Sequence, residues 1–233
     1  MLESDRARLS QIEAQILKFE RSLSALRAEK QLVQERLDSY KYPVTSLPSE
    51  MISEIFMQCL PPYPMCPSLL DNYPPISLTL VCRQWRAIAL ETPELWRAIA
   101  LDDESHLWRE LSKDASRVWI RRSGSLPLSI KLDTKCADRT PLCELYPAIF
   151  DHFPRWEHLT LAIAPTNFPT IDGPMALLRY LEFTPNDWYG RFELRNVPQL
   201  RVVLLDFTGG RGLTVVLPWQ QLTSLTRNEV MTN

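Results

Sequence analysis

The side chains best suited to holding a metal or attacking a substrate are three histidines (His106, His152, His158) and five cysteines (Cys59, Cys66, Cys82, Cys136, Cys143). Their spacing serves neither purpose. A structural zinc site draws on closely spaced Cys or His pairs. There is no CxxC pair, and neither Cys66 nor Cys143 has a histidine at ligand-like spacing. His152 and His158 stand six apart across Pro154, which keeps them off one helix face. Asp102, Asp103, Glu104 and Asp151 have the chemistry of general acids or bases, but such a charge run usually marks a solvated loop. Gly209-Gly210-Arg211-Gly212 lacks the other features of a phosphate-cradling loop and reads as a turn. Cys82, inside Leu80-Val81-Cys82, reads as a small buried residue. The chain is therefore expected to act without catalysis, metal or cofactor, through its surfaces.

The elements that would carry those surfaces belong to an ordinary folded chain. Its 233 residues are 45% hydrophobic and 23% charged, with a formal net charge of -2. That balance removes the basic footprint required for nucleic acid. Met1-Leu2-Glu3-Ser4-Asp5-Arg6 has no apolar signal core, and no apolar run approaches the ~18 residues of a membrane span. An odd cysteine count and the lack of a glycosylation sequon lead us to expect an intracellular location, cytoplasmic, nuclear or both. Proline is abundant, 19 residues or about 8% against a usual ~5%, and is spread after position 42 as turn punctuation.

Residues 1–40 contain neither Pro nor Gly and are rich in helix formers. Leu9, Ile12, Ile16, Phe19, Leu23, Leu26, Val33 and Leu37 follow a heptad register. Extended from Leu2 to Tyr40, it places a at 2, 9, 16, 23, 30, 37 and d at 5, 12, 19, 26, 33, 40. Asp5 and Lys30 are its polar members. A 3.5-residue repeat keeps one narrow stripe toward a partner helix, so a coiled coil and self-association through 2–40 are expected. Packing along the chain's own body is the alternative. Arg8 at g and Glu13 at the next e attract in a parallel dimer, while the other g/e pairs are nearly neutral, so orientation is weakly specified. Pro43 disfavours helix at Tyr42 and should end the segment.

A second helical pattern runs through Met51, Ile52, Ile55, Phe56, Cys59 and Leu60, with Ser46 or Ser49 as its N-cap. Six prolines in 61–75 make that stretch a loop. Ile76, Leu78, Leu80, Val81, Trp85, Ile88, Ala89 and Leu90 read as one or two short buried helices, and Pro93, Leu95 and Trp96 as a last turn. So small a hairpin lacks a self-sufficient core, and its apolar residues are expected to finish their burial in a partner. Alternatively, Leu47, Trp85 and Trp96 pack onto the domain that follows.

Three motifs in this segment occur in a familiar order. They are Leu47-Pro48-Ser49-Glu50-Met51-Ile52-Ser53-Glu54-Ile55-Phe56, then Leu80-Val81-Cys82-Arg83-Gln84-Trp85-Arg86, then Thr92-Pro93-Glu94-Leu95-Trp96. Together they resemble an F-box of the divergent type common in fungal proteins, interrupted by the proline-rich loop. The resemblance implies a three-helix hook that binds the Skp-family adaptor of a cullin-based ubiquitin ligase. It implies adaptor contacts from Leu47, Pro48, Ile52, Ile55, Val81, Cys82, Trp85, Leu95 and Trp96. Of these, Ile52, Ile55, Val81, Cys82 and Trp85 would be divided between the interface and the hook's own core. Without paired zinc ligands the chain cannot itself be a zinc-finger ligase, so the implied role is that of a receptor.

Further on, Val118-Trp119-Ile120 reads as a helix end and 126–132 as an alternating strand. Trp156-x-x-Leu159-x-Leu161, Leu178-x-x-Leu181-x-Phe183, Leu200-x-x-Val203-x-Leu205 and Leu222-x-x-Leu225 then begin 22 residues apart, each after a proline. Period and motif resemble irregular leucine-rich repeats, each giving one strand to a curved parallel sheet; the usual Asn is replaced by Ala162, Thr184 and Asp206. A plain α/β domain is the alternative. Thr160, Glu182 and Val202, between the anchors, are the candidate target contacts. The last unit is cut short at 226–233 without a visible cap, so the array is expected to be incomplete.

The expected fold is multi-part, α then α/β. It comprises a coiled-coil helix (1–42), an F-box-like domain (43–98), a linker helix (99–117) and a leucine-rich-repeat-like solenoid of parallel strands (118–233). The expected function is that of a substrate-receptor subunit of a Skp–cullin–F-box ubiquitin ligase. The Skp-family adaptor, and through it a cullin, would sit on the hook, and an unidentified target protein on the repeats. A coiled-coil scaffold without a ligase role is the alternative.

Overall fold

The computed structural model describes residues 2–39, 46–69, 73–103, 106–134, 141–187, 189–207 and 212–229. The chain divides into two compact units, Met1–Pro48 and Ser49–Asn233.

The first unit is dominated by α1 (Leu2–Ser39), whose 38 residues extend about 57 Å at 1.5 Å per residue. Glu3 and Asp5 in the first turn and Arg36 in the last complement the helix dipole. Gln31–Glu35 and Gln34–Asp38 hydrogen bonds (3.1 and 2.9 Å) tie successive turns. None of its residues is buried, and Leu9, Ile12, Ile16, Phe19, Leu23, Leu26, Val33 and Leu37 are 44–69% exposed. Tyr40 and the expected stop at Pro43 lie outside the described residues.

The second unit opens with α2 (Ser49–Gln58), α3 (Leu78–Val81), α4 (Arg83–Glu91) and a 3-10 turn at Pro93–Trp96. Ser49 is the first residue of α2, and its hydroxyl donates to the Glu50 carboxylate (3.3 Å). There follow β1 (Ala98–Asp103), α5 (His106–Arg122), β2 (Leu128–Thr134), α6 (Leu142–Leu145), α7 (Pro147–Phe150) and β3 (Trp156–Ile163). The rest is strands and 3-10 turns: β4 (Tyr180–Pro185), β5 (Tyr189–Glu193), β6 (Val202–Phe207), β7 (Gly212–Val216) and β8 (Ser224–Glu229). Six strands form one parallel sheet in the order β1-β2-β3-β4-β6-β8, and β5 pairs with β7 in a second.

The 22-residue step is the register of this sheet: His158 lies opposite Tyr180, Tyr180 opposite Val202, and Val202 opposite Ser224. On the inner face, Ile99, Ile130, Leu159, Leu181 and Val203 stand side by side, as do Leu101, Leu132, Leu161, Phe183 and Leu205, all nearly solvent-free. Aromatic side chains seal that face. Phe192 of β5 stacks on Phe183 (4.2 Å, 20°), and Phe150 meets Trp156 edge-on (5.2 Å). At the far edge, Leu225 of β8 is 53% exposed.

Two expectations need correction. Residues 98–103, placed within the hook's end and a helical linker over 99–117, form β1, and the helix runs from His106 to Arg122. Ala98, Ile99, Ala100 and Leu101 are buried on both faces of the strand, and a doubly buried strand is a continuous apolar run that periodicity cannot tell from helix. The units of β4 and β6 also hold two strands each, because their returns carry β5 and β7.

Candidate docking surface

The hook is positioned by α2. Ile52 and Phe56, four apart on one helix face, are both 0% exposed. Phe56 meets Trp85 of α4 edge-on (4.9 Å, 62°), and Ile88 and Ala89, a turn further along α4, are also buried. α4 is capped by Cys82, whose backbone is extended and whose Sγ accepts the Trp85 N–H at 3.4 Å. A thiol thus takes the capping place usually filled by Ser, Thr, Asp or Asn. Cys82 is half-buried rather than buried, because a capping side chain turns toward the helix end and away from the core. The Nε of Arg86 closes the α3–α4 junction by donating to the Thr79 carbonyl (2.8 Å).

Leu95 and Trp96 are 1% exposed each. The Trp96 indole donates to the Ala89 carbonyl (2.8 Å), sits edge-on to Trp119 of α5 (5.0 Å), and carries the Arg122 guanidinium 4.4 Å above its ring. Of the two readings of Trp96, packing onto the following domain is the one observed. Leu95 and Trp96 are therefore interior residues and correct the expectation of a partner contact, while Ile52 falls in the hook's own core, one of the two places expected for it. The turn begun by Pro93 carries Leu95 and Trp96 inward, so they join the hook to α5.

The surface of the hook keeps other apolar groups. Ile55 is 41% exposed and Val81 61%, with Met51 at 54% and Leu80 at 59%; Trp85 is half-buried. Leu80 and Val81 thus depart from the expected burial of α3. Met51 and Leu80 were not among the expected contacts, although Met51 precedes Ile55 by one helical turn and shares its face. Leu47 is half-buried and Pro48 exposed, both in the first unit.

The described part of the proline-rich loop is fixed to the sheet. Leu69 N–H donates to the Ala100 carbonyl and Ala100 N–H to the Pro67 carbonyl, both at 3.2 Å, which continues β-pairing past the edge of β1. Ser129 Oγ donates to the Pro64 carbonyl (2.6 Å). The Cys66 thiol lies 3.4 Å from the Ser129 carbonyl, and burial raises its pKa. Tyr63 is the main anchor: its hydroxyl donates to Glu157 Oε2 (2.7 Å), and its ring lies 3.6 Å from the Arg97 guanidinium. Arg97 pairs with the same carboxylate oxygen (3.2 Å), while His158 packs edge-on against Tyr63 (5.1 Å).

A register shift between β2 and β3 makes this cluster. Leu128 pairs with Trp156 and Ser129 with His158, so Glu157 is an inserted bulge residue. The bulge turns both Glu157 and His158 toward Tyr63 and leaves Trp156 and Leu159 in the core. Burial, reinforced by the bond to Glu157 and opposed by Arg97, holds the Tyr63 phenol well above its usual range. Burial also lowers the pKa of His158, with Glu157 opposing and Arg97 and Arg179 adding to the effect. Between α2, the loop and the start of β1 lies a cleft of about 560 Å³ lined by Met57, Leu60, Tyr63, Met65, Glu94 and Arg97 among others.

Residues 44–102 match the family model of the F-box-like domain. The chain thus carries an F-box-like domain, and the match takes in the hook, its proline-rich loop and most of β1. No curated protein and no solved structure matches the chain.

On the open sheet face, Thr160 and Glu182 are cross-strand partners, with Thr160 Oγ1 donating to Glu182 Oε2 (3.4 Å). Val202 is one row away, opposite Tyr180. Among the described residues, no group of three or more His, Cys, Asp and Glu side chains could hold a metal ion, and no helix is long and apolar enough to cross a membrane. The side chains of Asp102, Asp103, Glu104 and His106, and all of Cys136 and Gly209-Gly210-Arg211, lie outside the described residues.

Proposed function

We propose that this chain is a non-enzymatic substrate receptor that binds a Skp-family adaptor, and through it a cullin, by its F-box-like domain. The observation that carries this reading is that Met51, Ile55, Leu80 and Val81 remain 41–61% exposed on an F-box-like domain whose Ile52, Phe56, Leu95 and Trp96 are already buried. Apolar groups that a partner can desolvate are what a stable interface uses. Leu47 and Pro48 join this contact by their place in the motif. The open sheet face, with Thr160, Glu182 and Val202 on leucine-rich-repeat-like strands, receives the target protein. The receptor then acts by proximity, raising the effective concentration of a target lysine near a charged ubiquitin-conjugating enzyme, in cytoplasm or nucleus. Self-association through α1 adds avidity for multivalent targets.

The test is co-purification with a Skp-family adaptor. Ile55→Asp combined with Val81→Asp is expected to weaken capture at least about ten-fold, since each places a charge in an apolar contact. Leu47→Ala combined with Pro48→Ala is expected to weaken it as well. Wild-type capture by both double variants refutes the reading. The fully exposed stripe of α1 supports a second reading, a coiled-coil scaffold, which predicts self-association with no adaptor capture by the wild type.

A further inference from the structure

We infer that α1 pairs with α1 of a second copy as a parallel, in-register, two-stranded coiled coil. This rests on the self-association proposed above and adds its orientation, register and number of strands. The exposed area of the stripe suits such a pair. The eight apolar seam side chains are 44–69% exposed. Covering roughly 100 Å² on each, in both copies, buries about 1,600 Å², within the ~1,200–2,000 Å² of stable interfaces.

Charge decides orientation. With identical chains in parallel register, Arg8 at g meets the partner's Glu13 at e, once on each side of the pair. The other flanking pairs, Gln15 with Glu20, Ser22 with Arg27 and Glu29 with Gln34, contain no like charges. The antiparallel pairing that overlaps every layer is worse. It sets Arg8 against the partner's Arg36 twice and Glu20 against the partner's Glu20 once, offset only by two Glu13–Arg27 attractions.

Lys30 does not separate the two orientations. In the parallel arrangement it shares its layer with the partner's Lys30, a repulsion offset by the partner's Glu29, the g residue in the wall of its hole. In the antiparallel arrangement it is set beside the partner's Ile12, with Glu13 the next residue. Leu at most a positions leans toward higher-order bundles, but each further strand adds another Lys30 charge to one layer, which holds the number at two. The self-complementary placement of Arg8 with Glu13 and of Lys30 with Glu29 selects a second copy rather than an unrelated helix.

The test uses the full chain. Analytical ultracentrifugation is expected to give twice the 27.0 kDa chain mass. A monomer refutes the pairing itself, and a threefold mass refutes the strand number. Orientation is read separately, by mild oxidation of Ile12→Cys, of Lys30→Cys and of a mixture of the two, with wild type as control for the native cysteines. Each variant is expected to form disulfide dimers with itself, with no mixed product above background. A dominant mixed product, with little self-linking, overturns the parallel arrangement while leaving self-association intact. Should the cysteine variants fold poorly, Arg8→Glu is expected to weaken pairing by roughly five-fold, and adding Glu13→Arg to restore it. No change in either overturns the charge register.

Discussion

Replacing Tyr63 by Phe removes one oxygen and leaves the ring, so it tests the hydroxyl's bonds to Glu157 and to His158 Nδ1 (3.2 Å), which anchor the proline-rich loop. The hydroxyl donates to Glu157 Oε2 at 2.7 Å, and a hydrogen bond to a charged group contributes about 1.5–3 kcal/mol. Two features reduce the loss: the site is only part-buried, and Glu157 keeps Arg97 at 3.2 Å. The ring contact with Arg97 survives in Phe. The net cost is therefore about 1–2 kcal/mol, which lowers the urea midpoint by roughly 0.5 M for a chain of this size.

Burial of the same hydroxyl, reinforced by its bond to Glu157, predicts a pH signature. The folded state raises the Tyr63 pKa, whereas the unfolded phenol ionises near its ordinary value of about 10. The stabilisation is thus fully present below pH ~10 and is lost as pH rises toward the folded value. Wild type should lose stability above that pH more steeply than Tyr63→Phe. Tryptophan fluorescence during urea unfolding is the suitable assay, because all seven tryptophans lie between positions 85 and 219 and none reports on α1. Equal midpoints at pH 8, or equal alkaline slopes, would refute the assignment of Tyr63 as the loop's anchor.

Trp96→Ala should cost about 3–5 kcal/mol in the same assay, since it empties a site where Trp96 is 1% exposed and leaves the Ala89 carbonyl without its donor. A loss below about 1 kcal/mol would contradict its place as the joint between hook and α5. Burial depresses the pKa of His158, so the stability linked to its neutral ring is present above about pH 6.5 and is lost as pH falls below that. His158→Gln should therefore flatten the stability profile between pH 7 and 5; an unchanged slope would exclude His158 as its source. Gly173→Ala should destabilise by about 1–2 kcal/mol, because φ there is +147° and an added Cβ would lie 2.8 Å from the Phe153 ring. A neutral effect in thermal unfolding would show that Phe153 can yield.

Legibility in the sequence followed how many faces of an element are buried. α1 could be read because its large apolar residues, Leu17 and Leu32 apart, keep to the heptad stripe, and α2 because Ile52 and Phe56 alternate with exposed residues. The ladder from β3 to β8 was legible as a fixed step, since parallel neighbours repeat their anchors at the register distance. β1 was not, because residues 67–69 lie along its edge and both its faces are covered, which erases the alternation that marks a strand. Within the hook, types and spacing could not separate Leu95 and Trp96 from Val81: all are apolar, and the 3-10 turn decides which point inward. The Tyr63 cluster was invisible for a different reason. It joins residues 94 apart through a bulge at Glu157, and no local pattern announces either.

The constant register has a consequence for how this chain can vary. Along β3, β4, β6 and β8, each main-sheet residue meets the one 22 positions later, so a strand's partner is fixed by counting along the backbone. A single residue gained inside a strand inverts which side chains face inward from that point to the strand's end. The same residue gained in a part of a return outside β5 and β7 is absorbed there, and the next strand keeps its pairing. Growth or loss of whole returns with their strands among β3, β4 and β6 also leaves the remaining anchors aligned, because each of these strands presents an apolar inward pair at the same register positions. Length in this half of the molecule is therefore tolerant in the returns and quantised in the strands, and surfaces for new partners can be altered in the former without redesigning the core.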